Sequence, residues 1–194
     1  GINILIFLAI LAGGCGRGYR PLIPTPMLYT FDEIDPFDHL PAAECSPLVD
    51  VFYATNRKPK GTLEDQRYGN AMDNRLRVGK AVVRIGDEDI TWEELHAASL
   101  TAERESPIPV TVQHAEEYGV LPESRRGSDS SVWTEPIGEK AFAARINAAL
   151  AQTDIKVINV YVHGFKVDFD HGVALAGQLR HFAVRAGVSV AFDW

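Results

Sequence analysis

Residues 157–194 read VINVYVHGFKVDFDHGVALAGQLRHFAVRAGVSVAFDW. The stretch opens on an apolar run (Val157, Ile158, Val160, Tyr161, Val162) that stops at His163-Gly164-Phe165. An acid-bearing turn follows, then an amphipathic segment, then a second apolar run from Val188 to Phe192. Runs that are apolar on nearly every residue suit strands covered on both faces, and two of them joined by a helix make a βαβ unit of a parallel sheet. In such a sheet a ligand site lies outside the carboxyl ends of the strands. His163-Gly164-Phe165 stands at one of those ends.

Outward from this unit the pattern continues. A helix is expected over 170–186, with Asp170 as its N-cap, Leu175, Ala176, Leu179, Phe182, Ala183 and Ala186 as its stripe, and Gly187 in the left-handed position past its end. Phe142, Ile146, Ala149 and Leu150 fall on one face of a helix over 138–152. Three strands come earlier, over 48–54, 78–85 and 107–113. The first closes at Thr55–Pro59, 61–77 reads as a polar excursion, and 119–136 as a polar, flexible loop. Thr91 with Glu94 three residues on is a capping box for a short helix over 90–99. The fold class is therefore α/β: antiparallel entry strands, then a parallel βαβ unit. With the chain stopping at Trp194, the strand over 188–192 is expected to leave an exposed, aggregation-prone edge.

The chain has 194 residues, 46% of them hydrophobic, which suffices for one buried core. A formal charge of −7 argues against a nucleic-acid partner. Residues 2–11 form an apolar run with the length of a secretion-signal core, too short to span a bilayer. It ends in Leu11-Ala12-Gly13-Gly14-Cys15, which resembles the bacterial lipoprotein signal, where cleavage before the Cys leaves that residue to carry the lipid. A plain export signal and a short buried strand are the alternatives. Residues 1–15 thus read as a signal or lipoprotein-type segment. Residues 16–46, with Pro21, Pro24, Pro26, Pro36 and Pro41, read as a proline-rich tether on which Phe31, Ile34 and Phe37 can dock. The folded domain is 47–194. The expected location is the bacterial cell envelope, lipid-anchored to the membrane or else periplasmic or secreted. A Cys15–Cys45 disulfide competes with lipidation of Cys15, and two cysteines alone leave both open.

His163-Gly164-Phe165 is the candidate site. Glycine after a buried strand allows a tight turn and close approach of a ligand, and bare backbone N–H groups there can bond a developing oxyanion. A strand-to-loop turn with His163 as a hydrogen-bonded core residue is the plainer alternative. Asn56-Arg57 reads either as a polar clamp or as a charged turn that closes a strand. Ser189 has a helix before it and a strand after it, the reverse of a nucleophile elbow, and reads as a buried hydroxyl. His163, Asp168, Asp170 and His171 are near in sequence but form no familiar ligand set, His171 and His181 fall on different sides of a helix, and no GxGxxG follows a strand. Neither a metal nor a cofactor is expected.

The blocks 51–57 (VFYATNR), 68–70 (YGN), 160–165 (VYVHGF) and 190–194 (VAFDW) together resemble a bacterial family of α/β-hydrolase-fold proteins of unknown function. The resemblance covers roughly 48–194, the N-terminal portion of such a domain, and implies an esterase- or lipase-like serine hydrolase acting on a small acyl or ester substrate. It implies a first oxyanion donor from the backbone at or next to Phe165, with Gly164 in the turn and His163 orienting the loop. The nucleophile, acid and base would lie beyond Trp194, so the fold is expected as a partial α/β-hydrolase fold, truncated before the nucleophile elbow, and this chain as inactive by itself. Lys166 stands where the family carries a small polar residue. The alternative is a catalytically silent, lipid-anchored binding or scaffold module with a hydrolase-like fold.

Overall fold

The computed structural model describes residues 3–7, 20–31, 35–62, 66–121 and 137–194. In chain order they form strand β1 (Asn3–Phe7), helix α1 (Leu28–Phe31), a 3-10 turn (Ala42–Glu44), strands β2 (Leu48–Gly61) and β3 (Gln66–Ile85), helix α2 (Trp92–Leu100), strand β4 (Val110–Leu121), helix α3 (Ile137–Ala151), strand β5 (Val157–Val162), helix α4 (Phe169–Phe182) and strand β6 (Val188–Asp193).

All six strands join one sheet in the order β1-β5-β6-β2-β3-β4. β1, β5, β6 and β2 run parallel, and β3 and β4 add antiparallel ladders. This is the α/β architecture of entry strands followed by a parallel βαβ unit. One expectation is corrected: β6 is not an edge. It lies between β5 and β2, because Phe52–Thr55 of β2 pairs in parallel with Val190–Asp193. β1 pairs with Val157–Tyr161 of β5, so this part of the N-terminal apolar run is strand. Cys15 and the small residues before it lie outside the described residues.

The two faces of the sheet are covered differently. On one, Val49, Val51, Tyr53, Ala81, Val83 and Ile85 pack against Phe169, Val173 and Ala176 of α4 and Leu95 of α2. On the other, Phe52, Val188 and Val190 meet Leu150, Phe142, Ile146 and Ala149, the α3 face expected from its periodicity. Thr91 caps α2 through the predicted capping box, its side chain accepting from the Glu94 amide while the Glu94 carboxylate returns to the Thr91 amide.

The entry strands are longer than their apolar runs. Of residues 61–77, expected as an excursion, Gly61 and 66–77 continue the β2–β3 ladder, with register shifts either side of Arg57, and 63–65 lie outside the described residues. Pro59 does not end β2: it stands opposite Tyr68 of β3, and beyond Thr55 the strand has no β6 partner, so it is an edge there, where proline is tolerated. β4 also runs on, to Leu121. The rest of the 119–136 loop, to residue 136, lies outside the described residues.

α4 differs at both ends. Its cap is Asp168, which accepts from the His171 amide at 2.8 Å, not Asp170, which falls in the first turn. The helix stops at Phe182, four residues short of its stripe, because Val184 and Arg185 turn left-handed (φ 54° and 51°). That turn carries the Arg185 guanidinium inward to the carbonyls of Glu44, Ser46 and Leu48. Gly187 takes its expected positive φ of 65°.

The described part of the proline-rich stretch lies against the domain. Leu22 and Phe37 are buried, the latter stacked on His181 at 5.1 Å. The Leu22 amide donates to Ile108 O, the Val110 amide to Arg20 O, and the Tyr29 hydroxyl to Phe182 O. Of the other docking candidates, the Phe31 side chain and Ile34 lie outside the described residues. Cys45 is a half-buried free thiol. Among the described residues, no helix is long and apolar enough to cross a membrane.

Candidate functional site

β5 and β6 end side by side, Val162 opposite Phe192, and the chain leaves β5 through His163-Gly164-Phe165. Gly164 is exposed at this pole, and a Cβ placed on it would meet nothing within 4 Å. Phe165 is 81% exposed, with Lys166 Nζ 5.5 Å from its ring centre. The amides of Phe165 and Lys166 donate to no acceptor among the described residues. The left-handed position of the turn is Lys166 (φ 61°), while Gly164 is not among the glycines with positive φ. What Gly164 supplies is open space above the backbone.

His163 turns the other way and is buried. Its Nδ1 lies 2.7 Å from Gly164 O, which ties the ring to the turn. Its Nε2 accepts from the Trp194 amide at 3.1 Å and lies 2.8 Å from Oδ1 of Asp193. The Trp194 indole stacks on the imidazole, the rings 5.7 Å apart and 8° from parallel. Burial disfavours the imidazolium, as does Arg57, but the Asp193 carboxylate and the Gly164 carbonyl outweigh both and raise the His163 pKa above its ordinary value. On α4, Gly172 leaves room for this contact: a Cβ there would stand 3.3 Å from His163 Cδ2 and 3.4 Å from Asp193 Oδ1.

Asp193, fully buried, is the centre of the arrangement. Its Oδ2 accepts from Arg57 Nε at 2.6 Å and from the Thr55 hydroxyl at 2.9 Å. One Arg57 Nη2 donates at once to Val167 O at 2.5 Å and to Trp194 O at 2.7 Å, and the other terminal nitrogen reaches Asn70 Oδ1 at 3.3 Å. Arg57 therefore clamps the segments that follow β5 and β6. The turn reading of Asn56-Arg57 is corrected: both lie within β2, where Arg57 is buried and Asn56 Oδ1 has no hydrogen-bond partner among the described residues. Asp193, Thr55 and Asn70 were missed by residue-by-residue reasoning. The available signal was alternation: Val49, Val51, Tyr53, Thr55 and Arg57 share one face, and a buried arginine there demands an anion.

Other candidates are placed elsewhere. Ser189 is buried, 3.4 Å from Ala176 O of α4. Asp168 pairs with Arg20 at 2.8 Å, and His181 lies in the core between α4 and α2. There the Ser99 hydroxyl is 2.8 Å from His181 Nε2, a serine–histidine contact with the distance of a nucleophile and its base. Both residues are fully buried and Ser99 already donates to Leu95 O, so the pair is structural. Among the described residues, no group of three or more His, Cys, Asp or Glu side chains could hold a metal. A groove of about 510 Å³ opens near Leu48 and Val188, where β2 and β6 begin, and its Lys80 and Arg180 are already paired with Asp50 and Glu44.

No curated protein and no solved structure gives a match. Residues 138–194, which carry α3, β5, the His163-Gly164-Phe165 turn, α4 and β6, match the family model described as alpha/beta hydrolase of unknown function (DUF900).

Proposed function

We propose that this chain supplies the first oxyanion loop of a serine hydrolase that cleaves small acyl or ester substrates. The observation that carries the reading is the turn after β5: Gly164 and Phe165 exposed at the carboxyl pole of the parallel strands, with the Phe165 and Lys166 amides unbonded among the described residues, above a braced base. Donors held in place before charge develops are what acyl transfer needs at its tetrahedral intermediate. The serine would come from a strand–turn–helix elbow elsewhere in the full polypeptide, and the acid and base from later segments. No Gly-x-Ser-x-Gly occurs in the present sequence.

The test has two parts. The 194-residue chain is expected to leave p-nitrophenyl acetate and butyrate at the background rate. A natural polypeptide extending past Trp194 is expected to contain Gly-x-Ser-x-Gly and to turn both esters over, with Phe165→Pro, which removes an amide donor, lowering kcat about 10²–10³-fold. An extended polypeptide lacking that serine motif would favour the silent scaffold. Attachment to the envelope through Cys15 belongs to the same proposal: Cys15→Ser should release the protein from bacterial membranes, and continued retention would count against the anchor.

A further inference from the structure

Two described points on the chain bound where Cys15 can reach. The Arg20 guanidinium holds both oxygens of Asp168, at 2.9 and 2.8 Å. Asp168 follows the candidate turn directly, beside Val167, whose carbonyl shares the Arg57 Nη2 donor with Trp194 O past the end of β6. Arg20 is therefore pinned at the carboxyl pole. On the other side of Cys15, Phe7 stands opposite Tyr161 near the end of β5, at the same pole. Cys15 lies five residues before Arg20, a stretch that spans at most about 18 Å fully extended. β5, six residues long, alone spans about 20 Å. A lipid on Cys15 would thus be too close to the carboxyl pole to seat the amino ends of the strands on a bilayer.

The side chains at this pole suit such a surface. Phe165, 81% exposed, projects from the turn, and Met72, 47% exposed, stands opposite Arg57 in the β2–β3 ladder. Lys166 sets a cation beside the Phe165 ring. An aromatic body with a cationic tip next to it fits the boundary between acyl chains and headgroups. Asp170, exposed in the first turn of α4, is an opposing acid on this face, while the charge of Asp168 is met by Arg20. With a formal charge of −7 the chain has no general attraction to an anionic surface, so contact must come from this face and the anchor together. We propose that the carboxyl pole, through Phe165, Lys166 and Met72, docks on a phospholipid bilayer, and that the Gly164-Phe165 turn meets acyl lipids resident there. The docking rests on the Cys15 anchor and the substrate class on the acyl-transfer reading. A bilayer lipid carries its ester at the headgroup boundary, the depth to which a shallowly inserted Phe165 brings the turn.

The experiment supplies the anchor chemically, so it is independent of lipidation in the cell. The 194-residue chain carrying Cys45→Ser is coupled through Cys15 to a maleimide phospholipid in vesicles of phosphatidylethanolamine and phosphatidylglycerol. Hydroxyl-radical oxidation of side chains is then mapped by mass spectrometry. Coupling is expected to lower oxidation of Phe165 and Met72 about tenfold and to leave Leu48 and Ile155, exposed at the amino pole, unchanged. Phe165 as oxidisable when coupled as when free, or an equal loss at Leu48 and Ile155, overturns the proposal. Protection of Phe165 that grows with protein concentration in the absence of vesicles gives the face to a second copy, and also overturns it. In a natural polypeptide extending past Trp194, Cys15→Ser should lower the ratio of vesicle-phospholipid to p-nitrophenyl butyrate turnover about tenfold, and an unchanged ratio removes the lipid substrate. The two readings fail separately. Protected Phe165 in an extended polypeptide without ester turnover ends acyl transfer and keeps the docking, and an active esterase with Phe165 open to water does the reverse.

Discussion

Nε of Arg57 stands 2.6 Å from Oδ2 of Asp193, the two side chains 6% and 0% exposed. Arg57 belongs to the entry strand β2 and Asp193 is the last residue of β6, so one buried ion pair ties the strand that carries the antiparallel ladders to its parallel neighbour. It does so at the pole where the candidate loop opens. Removing one member of such a pair leaves a buried charge alone, which costs far more than the pair's net worth. Arg57→Met is therefore expected to lower unfolding stability by about 3–5 kcal/mol, measured by urea denaturation. The double variant Arg57→Met/Asp193→Leu should recover part of that loss. A cost below about 1 kcal/mol for the single variant would show that the pair does not hold the strand ends.

His181 should make the protein acid-sensitive. Burial above all, with Arg185 and Arg104 nearby, pushes its pKa down to about 3. The unfolded chain takes up that proton near pH 6.5 while the folded chain refuses it. Stability from this residue is thus complete above about pH 6.5 and falls as pH drops toward 3, by up to about 1.4 kcal/mol per pH unit. Chemical denaturation of the protein and of His181→Gln at a series of pH values checks this: the difference between them should shrink as pH falls. A constant difference would sink it.

The Ser99–His181 contact gives a second stability prediction and a negative chemical one. Ser99→Ala removes the hydroxyl that meets both Leu95 O and the imidazole, which should cost about 1–3 kcal/mol in a fully buried site. Ser99 should remain unlabelled by a fluorophosphonate probe in the native protein. Mass-spectrometric detection of an adduct there would mean that this region opens and that the pair is not merely structural.

Leu22 tests whether the proline-rich stretch is part of the folded unit. Its side chain is 4% exposed and packs with the core over α4. Leu22→Ala should cost about 2–5 kcal/mol, as for other buried leucines. A loss within about 0.5 kcal/mol, or protease nicking between residues 20 and 46 with no change in melting, would return the segment to the status of a tether.

Local pattern was a good guide wherever burial follows from a single element. The runs at 157–162 and 188–192 are strands, the periodicity of Phe142, Ile146, Ala149 and Leu150 marks the buried face of α3, and the Thr91/Glu94 spacing caps α2. Where an element's limit depends on a partner distant in sequence, pattern failed. β2 runs past Pro59 because β3 continues alongside it, and α4 stops at Phe182 because Arg185 leaves to bond carbonyls at Glu44, Ser46 and Leu48.

The sequence by itself determined an α/β chain whose glycine turn follows an apolar strand, since hydrophobic period and glycine placement are local properties of the polypeptide. Only the tertiary structure decided what stands beneath that turn. Thr55 and Arg57 lie within β2, His163 follows β5 and Asp193 ends β6, up to 138 positions apart, and their contacts exist only once the sheet has set its register. A charge buried in a closed sheet must find its counter-charge in space, and adjacency along the chain carries no record of that pairing.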